Sequence, residues 1–212
     1  MITVVGSLKG GSGKSTVTFN LAVWLMMAEV RLRLLDLDPQ ATLRDVIEIR
    51  DEERVKPKLT VETREALEDP TLREADEVLI DIGTADIEAM KKAITLADRI
   101  LVPVPPSQAD IWSTQRFVRL VHGLTSKQEH RPEIIGFINR ADTHHAVRET
   151  YEAAVALVAL SGLRYIKSRL GQRTMFRRSF SEGRAVFEMK PVTKGSSEFH
   201  RLCANLYPHL IS

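Results

Sequence analysis

A glycine-rich loop near the start of the chain carries the residues best suited to chemistry. Eight consecutive residues form it: Lys9, Gly10, Gly11, Ser12, Gly13, Lys14, Ser15 and Thr16. Its glycines let backbone N–H groups point inward, so that a phosphate chain can bind at a helix N-terminus. Lys14 is placed to reach the β- and γ-phosphates, Ser15 to bind Mg²⁺ and Thr16 to contact the α-phosphate. The alternative is a surface turn, but the loop lies between an apolar run and a helix-like segment, which favours nucleotide binding.

The common phosphate-binding pattern begins with a glycine, but the residue at that position here, just before the loop, is Leu8. A second lysine, Lys9, follows at once. The arrangement Lys-Gly-Gly-x-Gly-Lys-Ser resembles the deviant Walker A loop of the ParA/MinD family of ATPases. The resemblance implies ATP and ADP as ligands, Mg²⁺ as cofactor and a homodimer in the ATP state. It also implies that Lys9 reaches the nucleotide of the partner subunit, so that Lys9 and Lys14 both act in catalysis.

Two carboxylates, Asp36 and Asp38, follow a second apolar run in the order Asp-Leu-Asp-Pro-Gln. Carboxylates at this edge of a parallel sheet can hold magnesium or orient water. The segment resembles the switch segment of the same family, which implies that Asp38 positions the attacking water and that Asp36 supports the magnesium shell. Asp38 can also cap a helix that has Pro39 at its first position, and the two roles are compatible.

A third acid, Asp81, closes the apolar strand predicted at Val78–Ile80. An acid in this position is the Walker B arrangement, in which a carboxylate lies near Mg²⁺, usually through a water. Many strands end in aspartate as a turn former, so this signal depends on its spacing after the other two motifs. Gly83 is compatible with a flexible γ-phosphate sensor, whereas Asp86 adds a charge to which the sequence assigns no role.

Asn139 ends a later apolar run, in the order Ile-Asn-Arg. The segment resembles one whose asparagine contacts adenine in the family, and an amide can pair with the donor and acceptor edge of that base. A simple turn residue is the alternative.

Apolar runs alternate with longer helix-like segments, which predicts an α/β fold with a mostly parallel, twisted sheet covered by helices on both faces. We interpret this as a P-loop NTPase formed by a single domain, residues 1–212. The predicted strands are Ile2–Val5, Leu32–Leu35, Val78–Ile80, Ile100–Val104, Ile134–Ile138 and Arg164–Ile166, with a short extra strand near Leu59–Val61. The predicted helices are Lys14–Ala28, Val61–Ala75, Asp86–Leu96, Ser107–Leu124, His145–Leu160 and Gly195–Leu206.

Composition is consistent with this architecture, since 212 residues with 43% hydrophobic content can bury one sizeable core. The single cysteine, Cys203, excludes an internal disulfide and is expected to be a buried apolar residue of the last helix. A charged and apolar leader is absent, as is an apolar run of about 20 residues. We therefore expect a cytoplasmic protein that does not insert into a membrane.

Positive charge is concentrated between residues 164 and 184. This stretch has seven basic residues and one acid, a local net charge of +6, whereas the whole chain carries +2. Such a concentration is expected where a protein meets phosphate backbones. If Gln172–Phe180 is helical, Phe176 and Phe180 can anchor it to the core. Residues 172–188 resemble the same stretch of small, ParF-type plasmid-partition ATPases, which implies nonspecific DNA binding by Arg173, Arg177 and Arg178. A solvated face, or arginines that serve the nucleotide or the dimer, are the alternatives.

The resemblance as a whole implies an ATP-dependent DNA partition protein, with hydrolysis stimulated by a centromere-binding, ParB- or ParG-like partner. Two other functions of the same fold stay open. One is a MinD-like switch on a membrane surface, for which the apolar stripe of Phe199, Leu202 and Leu206 is the relevant feature. The other is a metal- or cofactor-insertion ATPase, against which the single cysteine argues.

Overall fold

One parallel sheet organises the computed structural model, which describes residues 1–143 and 148–211. Its strands are β1 (Ile2–Val5), β2 (Leu32–Asp36), β3 (Glu77–Asp81), β4 (Arg99–Val104), β5 (Glu133–Ala141) and β6 (Arg164–Gly171). They are arranged in the order β2-β3-β1-β4-β5-β6, and all neighbouring pairs are parallel. The predicted fold class is therefore confirmed.

Helices cover both faces of this sheet. They are α1 (Lys14–Met27), α2 (Thr42–Glu52), α3 (Ile87–Leu96), α4 (Gln108–Leu124), α5 (Arg148–Val158), α6 (Thr174–Ser181) and α7 (Lys194–Leu206). Helices α3, α4 and α5 bury apolar side chains in the core on one face, and α1, α2 and α7 do so on the other. The structure also contains short 3₁₀ helices at Arg64–Glu68, Leu72–Glu74 and Pro208–Leu210.

The central strands are apolar on both sides because both sides are covered. In β1, Val4 packs into the core below α3–α5, whereas Val5 packs into the core below α1 and α2. All residues of β1, β3 and β4 are buried. This is why their sequences are continuous apolar runs rather than alternating ones.

The predicted helix Val61–Ala75 is wrong. Glu62 instead forms a bridge with Leu35 of β2, one residue beyond the short strand expected near 59–61, and two 3₁₀ helices follow. The Asp69 carboxylate accepts a hydrogen bond from the Thr71 backbone N–H at 2.9 Å. With Pro70 between them, this local bond favours a turn over a continuous helix.

Helix α2 lies where the sequence showed no motif. Its buried residues are Leu43, Val46, Ile47 and Arg50, at the spacing i, i+3, i+4 and i+7. That spacing marks one face of a helix, but an arginine at the last position conceals the pattern. The start predicted for α5, His145, lies outside the described residues.

Asp86, to which the sequence assigned no role, is the N-cap residue of α3. Its carboxylate accepts the backbone N–H of Ala89 at 2.9 Å and pairs with Arg64 at 2.8 Å. It is therefore a helix cap that also attaches the 3₁₀ segment to α3.

The last helix packs onto the core, as predicted. Phe199, Leu202 and Leu206 are buried against the sheet, and Cys203 is completely buried beside them. Burial raises the pKa of the Cys203 thiol well above its usual value. Over residues 1–143 and 148–211, no helix combines the length and the apolar character needed to span a bilayer.

Arg50 connects α2 to the segment that follows α6, although it is completely buried. Its guanidinium pairs with Glu188 at 2.7 and 2.8 Å and donates to the carbonyl oxygens of Gly183 and Pro57, each at 2.9 Å. Gly183 has a φ of +63°, and an added Cβ there would lie 2.5 Å from the backbone nitrogen of Arg50. The pair therefore fixes α2 against the connection between α6 and α7.

Replacing Arg50 with alanine is expected to lower the free energy of unfolding by about 3–5 kcal/mol, because Glu188 would lose the cation that pairs with it. Urea denaturation followed by circular dichroism measures this. Arg178→Ala is the control. Arg178 forms an exposed ion pair with Glu182, four residues further along the chain, and loss of this pair should cost less than about 0.5 kcal/mol. Equal losses in the two variants would contradict the prediction.

Candidate nucleotide-binding site

The glycine-rich loop connects β1 to α1, at the carboxyl edge of the sheet. Gly11 and Gly13 have φ values of +76° and +92°, a region that favours glycine. An added Cβ at Gly13 would lie 2.5 Å from the Asn139 side-chain nitrogen. Gly13 is thus required both for the backbone conformation and for the close approach of β5.

Side chains brace this loop from below. The hydroxyls of Ser7 and Ser12 are 2.9 Å apart, and Ser7 also donates to the carbonyl oxygen of Lys9 at 3.0 Å. The Asn139 amide nitrogen donates to the Ser12 carbonyl oxygen at 2.7 Å. Ser7 was missed in the sequence because it precedes the motif. Asn139 supports the loop directly, and its contact with adenine stays a prediction.

The two lysines of the loop have different surroundings. Lys14 is buried, and its amino group donates to the Lys9 carbonyl oxygen at 3.3 Å. Burial lowers its pKa, while the charges of Asp81 and Asp38 oppose that shift. Lys9 is half-exposed and pairs with Asp110, at the start of α4, at 3.0 Å. This pair could not be predicted, because its members are 101 residues apart in the chain.

Asp81 and Asp36 are opposite each other in the register of β3 and β2. Asp81 is completely buried, and its Oδ2 has no hydrogen-bond partner among the described residues. Burial raises its pKa to about 7, although the nearby Ser15 hydroxyl and the charge of Lys14 oppose the shift. An unsatisfied carboxylate oxygen beside the Ser15 hydroxyl is a donor set that fits Mg²⁺.

Asp36 shapes the loop that follows it. Its Oδ1 accepts the backbone N–H of Asp38 at 3.0 Å, and its Oδ2 accepts that of Arg44 at 3.3 Å. Burial raises the pKa of Asp36, while these two hydrogen bonds and the Arg44 charge oppose the shift. Both carboxylate oxygens of Asp36 therefore accept backbone N–H groups, and its place in the magnesium shell stays a prediction.

Asp38 lies at the tip of this loop and accepts the Gln40 backbone N–H at 3.0 Å. It does not cap a helix in the way considered from the sequence, because α2 begins at Thr42 and Ala41 is the residue before it. Gly83 lies against it: an added Cβ would be 2.6 Å from the Asp38 carboxyl carbon. The β3 loop thus limits where the Asp38 carboxylate can lie.

Two adjoining pockets open at this edge of the sheet and share Gly13, Thr16 and Arg140. The first is lined by the loop glycines, Lys14, Ser15 and the Asp38 side chain. The second lies between α1, the ends of β5 and β6, and α6, and its lining includes Val17, Leu170, Phe176 and Phe199. A polar pocket rich in N–H groups beside a partly apolar one matches the two ends of a nucleotide.

The three arginines predicted to bind DNA have different surroundings. Arg173 pairs with Glu198 of α7 and lines the second pocket, which Arg177 also lines. Arg178 pairs with Glu182 at 2.9 Å. Phe180 packs against Phe19 of α1, with ring centroids 5.6 Å apart, so the predicted apolar anchor of α6 is present. The DNA contacts of Arg173, Arg177 and Arg178 stay predictions.

Comparison with known proteins places this site in a family. The chain is 23% identical over 192 residues to the maintenance of carboxysome distribution protein A of Halothiobacillus neapolitanus, covering 87% of this chain and 86% of that protein. It is 24% identical over 197 residues to protein ParA of Rhizobium radiobacter, covering 89% and 86%.

The fold agrees with these sequence matches. The ATP complex of a McdA variant from Cyanothece has a TM-score of 0.77 at 17% identity, covering 97% of this chain and 95% of that chain. The family model of the CobQ/CobB/MinD/ParA nucleotide binding domain matches residues 3–186. The chain therefore belongs to the CobQ/CobB/MinD/ParA family of nucleotide-binding domains, as its deviant glycine-rich loop predicted.

Proposed function

We propose that this chain is a Mg²⁺-dependent ATPase that acts as a nucleotide-timed switch in DNA partition. The observation that carries the proposal is the convergence of Lys14, Asp38 and Asp81 around one braced glycine-rich loop, at the start of which Lys9 lies. Groups of this kind neutralise phosphate charge and orient water, which is most of what phosphoryl transfer requires of a protein.

Each group has a distinct task in this proposal. The loop N–H groups and Lys14 bind the phosphates, and the Asp38 carboxylate orients the attacking water. Ser15 and Asp81 would hold Mg²⁺, which offsets negative charge on the phosphates when bound. The bond between Asp36 and the Asp38 backbone keeps the water-orienting carboxylate near the loop. Because the residues act mainly by positioning the phosphates and the attacking water, slow turnover is expected without a stimulating partner.

A dimer formed around two ATP molecules is the active state of the switch. Lys9 is half-exposed and pairs with Asp110, so it can exchange that carboxylate for the phosphates of the partner subunit. The dimer binds nonspecific DNA in the cytoplasm, on the nucleoid, and a centromere-binding protein of the ParB or ParG kind triggers hydrolysis and release. Residues 1–212 act as one domain in this scheme. The relative named ParA supports this proposal.

The second candidate is a positioning ATPase that acts on a surface or cargo other than DNA, as the relative named for carboxysome distribution suggests. A MinD-like amphipathic anchor in α7 has less support, since the apolar stripe of that helix is buried in the core. The basic stretch after residue 164 favours DNA.

Binding to random-sequence duplex DNA tests the proposal, with ATP and ADP compared on one preparation at moderate salt. Binding with ATP that weakens as salt rises is expected. An ATP dimer that does not bind DNA would contradict the partition proposal and favour the second candidate. Binding of equal strength with ADP would contradict the switch.

A further inference from the structure

Arg140, near the end of β5, has a backbone conformation that arginine rarely adopts. Its φ is +56°, in the left-handed region that favours glycine. A β-bulge lies at the same place, because Ile138 is opposite Arg169 in the register of β5 and β6, whereas Ala141 is opposite Gly171. Three steps along β5 thus match two steps along β6. Bulges of this kind redirect side chains and are common next to active sites.

The bulge changes the side of the sheet that Arg140 faces. Ile138 and Ala141 both pack into the core below α3–α5, although strict alternation would put residues three apart on opposite sides. With unbroken alternation, Arg140 would face the same side as Ile138, away from α1. Instead it lies on the side of Asn139, and its Nε is 4.0 Å from the position that a Cβ on Gly13 would occupy. The strained backbone therefore directs this guanidinium to the glycine-rich loop.

Arg140 lies where the two pockets meet, since both pockets share it with Gly13 and Thr16. In the proposed function, the first pocket takes the phosphates and the second, partly apolar pocket takes the base. The α-phosphate is the phosphate nearest the base, so it belongs at the junction. Thr16 was expected from the sequence to contact the same phosphate.

A guanidinium suits an α-phosphate at this junction. Its rigid fork of N–H donors matches the geometry of phosphate oxygens, and hydrogen bonds between two charged groups are the strong ones. Lys14 is assigned to the β- and γ-phosphates, so the α-phosphate would otherwise meet only neutral donors. A phosphate contact also accounts for a strained arginine at a position where glycine would fit the backbone without cost.

We propose that Arg140 binds the α-phosphate of the nucleotide held by its own subunit. This inference rests on the proposed binding of ATP. Hydrolysis does not alter the α-phosphate, so the contact is equally strong with ATP, in the transition state and with ADP. Such uniform binding adds affinity for both nucleotides and does not change the rate at saturating ATP. Arg140 is thus a binding residue, in contrast to Asp38, which is assigned to the attacking water.

The test measures affinities of the full chain for ATP, ADP and adenosine, by competition with a fluorescent ATP analogue. We expect Arg140→Gln to bind ATP and ADP about 10- to 100-fold more weakly and adenosine within about twofold of wild type. Phosphate release at saturating ATP should stay within about threefold. Arg169→Gln is the matched control, because it removes the same charge from an exposed position that lines neither pocket. It should change all three affinities less than about twofold.

Arg140→Gly separates binding from backbone strain. Glycine adopts a positive φ without strain, so this variant should have a higher melting temperature than Arg140→Gln. It should nevertheless bind ATP and ADP as weakly as Arg140→Gln does, because both variants lack the guanidinium. An arginine with a purely structural role would instead give affinities that follow the melting temperature.

Wild-type affinity for ATP and ADP in Arg140→Gln would overturn the inference. Equal weakening of adenosine would also overturn it, since the guanidinium would then contact the base or the ribose. Recovery of nucleotide affinity in Arg140→Gly would do the same, because the loss in Arg140→Gln would then come from the backbone. A wild-type chain that does not bind ATP would instead refute the proposed function.

Discussion

Asp38→Ala is expected to lower the rate of ATP hydrolysis at least about 100-fold while leaving ATP binding and ATP-driven dimers intact. Asp38 lines the pocket that we propose for the phosphates, and its carboxylate accepts the Gln40 backbone N–H. A group that orients or deprotonates a nucleophile contributes typically 10²–10⁴-fold. The phosphates are bound by other groups, so their affinity should change little.

Phosphate release measured under saturating ATP tests this prediction, with light scattering for the dimer. Asp45→Ala is the control, because Asp45 is an exposed acid on α2 outside the pocket, and it should hydrolyse ATP normally. Gly83→Ala provides a second test: the new Cβ would displace the Asp38 carboxylate, so hydrolysis should fall without any change in charge. Full activity in Asp38→Ala would exclude Asp38 from the catalytic role.

Replacing the two loop lysines should separate nucleotide binding from dimerisation. Lys14→Ala is expected to weaken ATP binding at least about 100-fold, because its buried side chain lines the pocket that we propose for the phosphates. Lys9→Ala should bind ATP with little change but fail to dimerise and to hydrolyse it. Its amino group is half-exposed and pairs with Asp110 rather than with the loop.

A fluorescent ATP analogue measures affinity in both variants, and size-exclusion chromatography with light scattering measures the dimer. Lys127→Ala, at an exposed position after α4, is the matched control and should behave as wild type in both assays. ATP-dependent dimers of Lys9→Ala would show that this lysine does not act across the interface. Unchanged ATP affinity in Lys14→Ala would refute its phosphate contact.

Much of the site could be predicted because its chemistry is contiguous in sequence. A phosphate nest is built from consecutive backbone N–H groups, so eight residues identify it. Asp36, Asp38 and Asp81 were recognisable since each follows an apolar run that ends at the same edge of a parallel sheet. The alternation of runs and helix-like segments likewise predicted the fold class, because both faces of the sheet are covered.

Predictions of other features failed where local signals in the sequence favour different structures. Residues 61–75 have helix-forming composition, but a turn at Asp69 and a bridge at Glu62 override it. Helix α2 was not predicted because its buried face includes Arg50, which pairs with Glu188, 138 residues away. A propensity summed over a window cannot register such a partner.

The sequence by itself determined the ligand class, the catalytic candidates and the presence of concentrated positive charge. Only the tertiary structure decided which of these cations are in ion pairs. The family resemblance assigned Arg173 and Arg178 to DNA, yet the folded chain pairs Arg173 with Glu198 and Arg178 with Glu182. The physical reason is that a motif is made by neighbours in the chain, whereas the pairing of a charge depends on which distant elements pack beside it.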